Sequence, residues 1–239
     1  MNEEDGRMTG AFTITFDDAS LSQLELGLPV LARRGVRGVV FVPTGLVGGY
    51  FHGEPILTIE QLHQLNEAGW ELGSHTVTHP RLARNGAVQV SRDQLERELR
   101  GSRNWLAEHG FEATALAYPY GRYNEEVEEQ AARTYRYVRT TEDGLNTVSA
   151  AHPRLSSYSL CQRRVRRFKR AVKDAAQRGA WVIGVVHHVT TDPALIPPDD
   201  EKSWITTGAL DECVAHALAA GLAPASFRDI HELVTSPSD

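Results

Sequence analysis

The strongest constraint on the fold is a repeated order of elements: a short apolar run, a loop, an amphipathic segment and then a glycine. Such alternation of strands and helices predicts a parallel sheet, because parallel strands need long crossover connections. About seven such units follow one another without a linker, a low-complexity segment or an internal repeat. The pattern therefore predicts an α/β fold in a closed or nearly closed (β/α) barrel, with an open doubly wound sheet as the alternative.

The apolar runs and the glycines also predict where the elements lie. Strands are expected at residues 12–16, 39–42, 70–73, 115–118, 137–139, 181–186 and 225–227, with a short candidate near Leu155. Thr58 with Gln61, and Ser91 with Gln94, have the spacing of helix caps. A length of 239 residues suits one barrel domain. Residues 1–10 are expected to be a tail and residues 11–235 a single domain.

Composition excludes some classes of function. The formal charge of −6 disfavours a nucleic-acid partner, since such proteins usually carry a basic surface. No segment approaches the roughly 18–20 consecutive apolar residues of a membrane span. The first seven residues are polar and acidic, unlike a secretory signal, which predicts a cytoplasmic protein. A secreted protein from which the signal had been removed would look the same.

Polar side chains follow the predicted strands at their carboxyl ends. Asp17 and Asp18 follow the first strand, and His187 follows the strand at residues 181–186. In a parallel α/β barrel these ends share one face, where active sites are built. The candidates on that face are Asp17, Asp18, His75, His79, Tyr120 and His187.

His75 and His79 lie four residues apart, a spacing that places both imidazoles on one side of a helical turn. Two histidines and one carboxylate, with open positions for water, form a common catalytic site for a divalent metal. Asp18 is the candidate carboxylate. Adjacent acids repel each other unless a cation or hydrogen bonds offset the charge, and a metal does so by taking one acid as a ligand and leaving the other free. Two alternatives stay open: the histidines are solvated in a surface loop, and either Asp18 or Ser20 caps the helix that starts at Leu21.

Four segments resemble motifs of the NodB-type polysaccharide deacetylases in order, spacing and strand context. They are residues 15–18 (TFDD), 74–80 (SHTVTHP), 117–121 (AYPYG) and 185–187 (VVH). The resemblance spans roughly residues 11 to 230. It implies a distorted (β/α) barrel and a single deacetylase-like catalytic domain.

The resemblance also implies an activity and a role for each residue. Family members hydrolyse N-acetyl groups, which are carbon–nitrogen amide bonds, usually in amino-sugar polymers. By resemblance, Asp17 is the base, His187 is the acid, and the backbone N–H of Tyr120 helps to bind the oxyanion. The implied ligands of one divalent metal ion, commonly zinc but also cobalt, nickel or manganese, are Asp18, His75 and His79.

The third motif departs from its usual form, because Ala117 stands where many members carry the arginine that holds the catalytic aspartate. A subgroup that includes the biofilm poly-N-acetylglucosamine deacetylases has the same AYPYG form and supplies an arginine from a later Pro-Arg segment. Residues 152–155 (HPRL) are similar to that segment, so we expect Arg154 to orient Asp17. A surface arginine in a loop is the alternative. The family's acid-rich fourth motif has no clear counterpart.

Three hypotheses for function follow. The first is metal-dependent deacetylation of an amino-sugar glycan. The second keeps this chemistry but takes a small cytosolic amide, such as a sugar nucleotide, an antibiotic intermediate or a cyclic ureide. The third is a family member that binds glycan or metal without turnover, which rests on Ala117 and the missing fourth motif.

Overall fold

The computed structural model describes residues 10–147, 154–198, 200 and 202–235, with side chains described as far as residue 232. Residues 1–9 of the expected tail and residues 152–153 before Arg154 lie outside the described residues. The single domain over residues 11–235 stays a prediction. No helix in the described ranges is long and apolar enough to cross a membrane.

The strands are short, and most of them belong to one parallel sheet. In chain order they are β1 Ala11–Phe16, β2 Val39–Val42, β3 Tyr50–Phe51, β4 Glu54–Pro55, β5 Glu71–Ser74, β6 Ala83–Arg84, β7 Ala87–Val88, β8 Ala115–Ala117, β9 Tyr137–Arg139, β10 Arg154–Leu155, β11 Tyr158–Ser159, β12 Trp181–Val186, β13 His188–Thr190, β14 Trp204–Thr206 and β15 Ala223–Pro224.

The main sheet has nine strands in the order β10-β9-β8-β5-β2-β1-β12-β11, and β15 pairs with β1. If its two edges, β10 and β11, were joined, the strands would follow one another around a barrel in chain order: β1, β2, β5, β8, β9, β10, β11 and β12. In a doubly wound sheet the strands are instead added outward from the middle on both sides, so joining the edges would not restore chain order. The expected (β/α) barrel is therefore confirmed in the form of a half-barrel, whose two edges are β10 and β11.

Helices connect the strands on the outside of the sheet. They are α1 Leu28–Ala32, α2 Ile59–Glu67, α3 Arg92–Glu96, α4 Ser102–Glu108, α5 Glu125–Ala132, α6 Val165–Arg178, α7 Thr207–Ala219 and α8 Phe227–Thr235. The expected caps at Thr58 and Ser91 are confirmed, since each hydroxyl accepts a backbone N–H three residues later. Two π-helical segments interrupt this regularity: Gln23–Gly27 precedes α1, and Arg97–Gly101 joins α3 to α4.

The last helix closes one end of the barrel. Phe227, at the start of α8, packs its ring against Phe41, Tyr137 and Trp181 at centroid distances of 5.8, 5.9 and 5.5 Å. Tyr137 and Trp181 are the first residues of their strands, so this aromatic cluster fills the amino-terminal end of the barrel. The carboxyl ends of the strands, which carry the candidate residues, lie at the opposite end.

Candidate metal centre

The loops after β1 and β5 bring three side chains to one point. Asp18 Oδ1 lies 3.5 Å from His75 Nε2 and 3.3 Å from His79 Nε2. The two imidazole nitrogens are 3.1 Å apart. All three side chains are buried, and their ligand atoms lie within 4.8 Å of one another. The carboxylate and the two imidazoles thus share a volume about the size of one ion.

The hydrogen bonds of His75 define which of its nitrogens is free. Its Nδ1 lies 2.8 Å from the carbonyl oxygen of Ala117, which can only accept a hydrogen bond, so Nδ1 donates and Nε2 is the nitrogen that faces the site. Backbone carbonyls orient metal-binding histidines in this way. Burial, and then the nearby His75, lower the pKa of His79 to about 2, which leaves its imidazole neutral. Asp18 Oδ1 has no hydrogen-bond partner among the described residues. A neutral His79 and the site-facing Nε2 of His75, beside an unpartnered carboxylate oxygen, fit a divalent cation.

The backbone is strained where the chain turns into this site. Asp18, Thr76, His79 and Tyr120 have φ values of 70°, 66°, 55° and 57°, in the left-handed region that residues with a side chain rarely adopt. Each such residue costs about 1–3 kcal/mol and persists only where its surroundings hold it. Strain concentrated in four loop residues around one point is typical of a functional site.

Asp17 lies beside the three side chains and is held by Arg139, the last residue of β9. The Nη2 atom of Arg139 donates to Asp17 Oδ2 at 2.5 Å, and both side chains are almost fully buried. Burial by itself raises the pKa of Asp17. The positive charge of Arg139, with contributions from His75 and His187, outweighs burial and holds this pKa below its usual value. Asp17 is therefore an ionised carboxylate at neutral pH, and its Oδ1 has no hydrogen-bond partner in the described part of the chain.

The expectation that Arg154 orients Asp17 is therefore wrong. The Arg154 side chain is 52% exposed and its Nη1 lies 3.4 Å from Glu128 Oε2, at the surface. Side chains alternate along a strand, and because Leu155 faces the core, Arg154 points outward. Arg139 holds Asp17 instead. Its strand pairs with β8 so that Arg139 stands opposite Ala117, the position where many family members carry the arginine.

His187 follows β12 on the other side of Asp17. Its Nε2 lies 3.8 Å from Asp17 Oδ2, and its side chain is partly exposed. The next residue, His188, is buried and packs against the ring of Trp204 at 4.8 Å. His187 is therefore the imidazole that reaches both Asp17 and solvent.

A cavity of about 340 Å³ opens over these residues. Tyr120 contributes a ring that is 40% exposed, lies 4.6 Å from the ring of His79, and has the guanidinium of Arg81 4.1 Å above it. Phe51, from the hairpin after β2, packs edge-on against His79 at 4.8 Å. The residues that line the cavity are Asp18, Phe51, His52, His79, Tyr120, His187, His188, Asp200 and Ser203.

A buried glutamine that sequence reasoning missed joins the two strand ends. The side-chain amide of Gln23 donates to the carbonyl oxygens of Asp17 at 2.5 Å and His187 at 2.7 Å. Gln23 is fully buried and begins the first π-helical segment. A polar residue on the apolar stripe of a predicted helix was the available signal. Its two bonds add to the backbone ladder that pairs β1 with β12 and link the residues that follow the two strands.

Known proteins resemble this chain in sequence and in fold. Residues 7–138 match the model of a family described as polysaccharide deacetylase. YxkH of Bacillus subtilis, provisionally named a polysaccharide deacetylase, is 34% identical over 134 residues. That match covers 55% of this chain and 44% of YxkH, so the chain spans less than half the length of this curated relative.

Solved structures extend the likeness. The deacetylase PplD of Streptococcus pyogenes, solved in complex with acetate, is 28% identical, with a TM-score of 0.54 over 61% of this chain and 62% of that one. A Mycobacterium smegmatis protein, provisionally named a polysaccharide deacetylase, has a TM-score of 0.69 over 98% of this chain and 92% of that one. At 17% identity this second likeness concerns the fold. Since the family model matches more than half of the sequence, the chain belongs to the polysaccharide deacetylase family.

Proposed function

We propose that this protein removes acetyl groups from N-acetylated amino sugars in a glycan by hydrolysing the amide bond. The observation that carries the proposal is the convergence of Asp18, His75 and His79 beside a buried, ionised Asp17. Family membership supports the same reaction class. The acetate in the PplD structure belongs to that protein and is the product that this reaction would release.

The metal in this proposal is one divalent ion held by Asp18, His75 and His79. Two imidazoles and one carboxylate suit zinc, and the same donors also accept cobalt, nickel or manganese. When bound, such an ion supplies positive charge that polarises the acyl oxygen and lowers the pKa of water. The neutral state of His79 and the orientation of His75, whose Nδ1 is bonded to the carbonyl oxygen of Ala117, support this ligand set.

Asp17 acts as the general base in this proposal. Its Oδ1 has no hydrogen-bond partner among the described residues and is free to accept a proton from the attacking water. Arg139 engages only Oδ2, so it holds the carboxylate ionised without occupying the second oxygen. A base that is both oriented and ionised is what proton abstraction at neutral pH requires.

His187 acts as the general acid and protonates the departing amine. Its partial exposure lets it reach substrate in the cavity. Because its Nε2 lies 3.8 Å from Asp17 Oδ2, the acid and the base can act on the same amide group. Protonation is needed because an amine anion is a very poor leaving group. The backbone N–H of Tyr120 is proposed to donate to the oxyanion that forms in between.

Acetate release from N-acetylglucosamine oligomers tests the function. We expect release by the purified protein, loss after treatment with a chelator, and recovery when zinc is added back. Asp17→Asn is expected to bind zinc without turnover, whereas His75→Ala loses the ion. Hydrolysis restricted to monomeric or nucleotide-linked amides would favour the small-molecule hypothesis, and zinc binding without any hydrolysis would favour a binding protein.

A further inference from the structure

Glu98 is a buried acid on the helix that follows the histidine loop. It is 4% exposed, although its neighbours on the same helical face, Leu95, Leu99 and Leu106, are apolar core residues. A glutamate is almost never buried this deeply unless a partner satisfies it. It lies in the π-helical segment Arg97–Gly101, and π-helical turns occur often at functional sites.

The carboxylate of Glu98 is satisfied by the loop between His75 and His79. Its Oε2 accepts the backbone N–H of Val77 at 2.8 Å and that of Thr78 at 2.9 Å. Its Oε1 accepts the hydroxyl of Thr78 at 2.6 Å. Three hydrogen bonds from two consecutive residues fix both the position and the direction of this loop.

The loop needs such support because its backbone is strained on both sides of the contact. Thr76 and His79 have positive φ values, and Thr76 is β-branched, which makes this conformation especially costly. Other bonds hold the ends of the loop: the Ser74 hydroxyl accepts the N–H of Thr76, and the Thr76 hydroxyl accepts the N–H of His79. In the middle, Glu98 accepts the N–H groups of Val77 and Thr78, and the N–H of Gly45 donates to the carbonyl oxygen of Val77.

We propose that Glu98 is a positioning residue that sets the spacing of the two histidine ligands and thereby the affinity of the protein for its metal. The inference rests on the proposed metal site. Glu98 touches neither imidazole, so it acts through the backbone of Val77 and Thr78. Residues that orient metal ligands typically change metal affinity by about 10- to 100-fold when they are replaced.

The test compares two substitutions of Glu98 with different hydrogen-bonding capacity. In Glu98→Gln the amide oxygen can accept both backbone N–H groups, and the amide nitrogen can donate to the Thr78 hydroxyl. In Glu98→Ala all three bonds are lost. The dissociation constant for Zn²⁺ is measured by competition with a chromophoric chelator, and the Co²⁺ absorption spectrum reports the ligand geometry.

Glu71 provides a matched control on the same strand as the histidine motif. It is also 4% exposed, and it accepts bonds from the Thr114 hydroxyl and the Arg228 N–H at the opposite end of β5. Glu71→Ala removes a buried, hydrogen-bonded carboxylate without touching the histidine loop. It is expected to lower the melting temperature and to leave the Zn²⁺ dissociation constant unchanged.

We expect Glu98→Ala to raise the dissociation constant by at least about 10-fold with an altered Co²⁺ spectrum, and Glu98→Gln to stay within about threefold of wild type. Equal affinity in Glu98→Ala and wild type would overturn the inference and leave the metal site intact. Failure of the wild type to bind Zn²⁺ would instead refute the metal site itself. If Glu98→Ala does not fold, Thr78→Val removes one of the three bonds, and an unchanged dissociation constant there would also overturn the inference.

Discussion

Replacement of Arg139 by methionine tests how Asp17 is kept ionised. Methionine fills a similar volume but carries no charge, so the variant leaves a buried carboxylate without its cation. In the wild type the two groups meet at 2.5 Å, with 0% and 4% of their side chains exposed. Solvent therefore screens the ion pair little, and removal of Arg139 should lower both the stability of the protein and its catalytic activity.

The size of the effect follows from the burial of the pair. Two unit charges about 4 Å apart attract by about 4 kcal/mol at an effective dielectric constant of about 20. Removal of one partner of a buried ion pair costs about 3–5 kcal/mol. We therefore expect Arg139→Met to lower the free energy of unfolding by about 4 kcal/mol at pH 7.

The pH dependence has a defined sign. The folded-state pKa of Asp17 lies below its ordinary value of 3.8, so the stabilisation is present above pH 3.8 and is lost as the pH falls through the folded-state value. In Arg139→Met the positive charge that most strongly opposes the effect of burial is gone, so the pKa of Asp17 should rise. The acidic limb of kcat/KM should shift to higher pH with it.

Urea denaturation at pH 7 and the pH profile of acetate release measure these two effects. Arg154→Met is the control: that side chain is exposed at the surface, so its removal should change stability by no more than about 1 kcal/mol. The double variant Asp17→Asn/Arg139→Met should regain much of the lost stability, because no buried charge is left unpaired. Loss of activity in Arg154→Met together with a harmless Arg139→Met would refute our assignment.

Three further predictions concern stability and geometry. Gln23→Leu should keep Zn²⁺ affinity but lower kcat more than it raises KM, because the carbonyl groups of Asp17 and His187 lose their shared hydrogen-bond donor. An unchanged kcat would contradict this role. Burial and His187 lower the pKa of His188 from 6.5 to about 4, so stability is lost as the pH falls below 6.5. Between pH 7 and 5 the wild type should lose about 2 kcal/mol more than His188→Gln, and parallel curves would count against it. Gly121→Ala places a methyl group 2.0 Å from Thr141 Oγ1 and should lower the free energy of unfolding by about 3 kcal/mol. Gly35→Ala, with open space around it, should lower it by about 1 kcal/mol. Equal losses in the two variants would contradict the packing argument.

The barrel could be predicted because strand and helix periods are local properties of the sequence. Alternating apolar runs and glycine stops placed β1, β2 and β12 to within one or two residues. The closing strand was expected at residues 225–227 and lies at Ala223–Pro224, since Phe227 instead starts the helix that fills the barrel.

The partner of Asp17 was harder to predict from the sequence, because its identity depends on which strands are neighbours and in what register they pair. Arg139 pairs with Ala117 across two strands, and no local pattern states that register. Its position at the carboxyl end of a predicted strand was nonetheless the same signal that identified Asp17 and His187. Alternation along β10 was a second signal: with Leu155 in the core, Arg154 had to face outward.

The buried polar residues Gln23 and Glu98 were missed for a different reason. Each is a single polar residue within an apolar helical stripe, and a search for hydrophobic periodicity gives such a residue no weight. Each lies in a π-helical segment, where the helix departs from its usual repeat. Their bonds to loops distant in sequence become visible only once the strands are assembled.

The most direct test of the central claim is the position of the metal. Crystals grown with Zn²⁺ and measured at the zinc absorption edge should give one strong anomalous peak about 2.0–2.2 Å from Asp18, His75 Nε2 and His79 Nε2. Asp17 should remain on Arg139, outside bonding distance of the ion. A zinc ion bound elsewhere, or no peak between these three side chains at saturating Zn²⁺, would contradict the account.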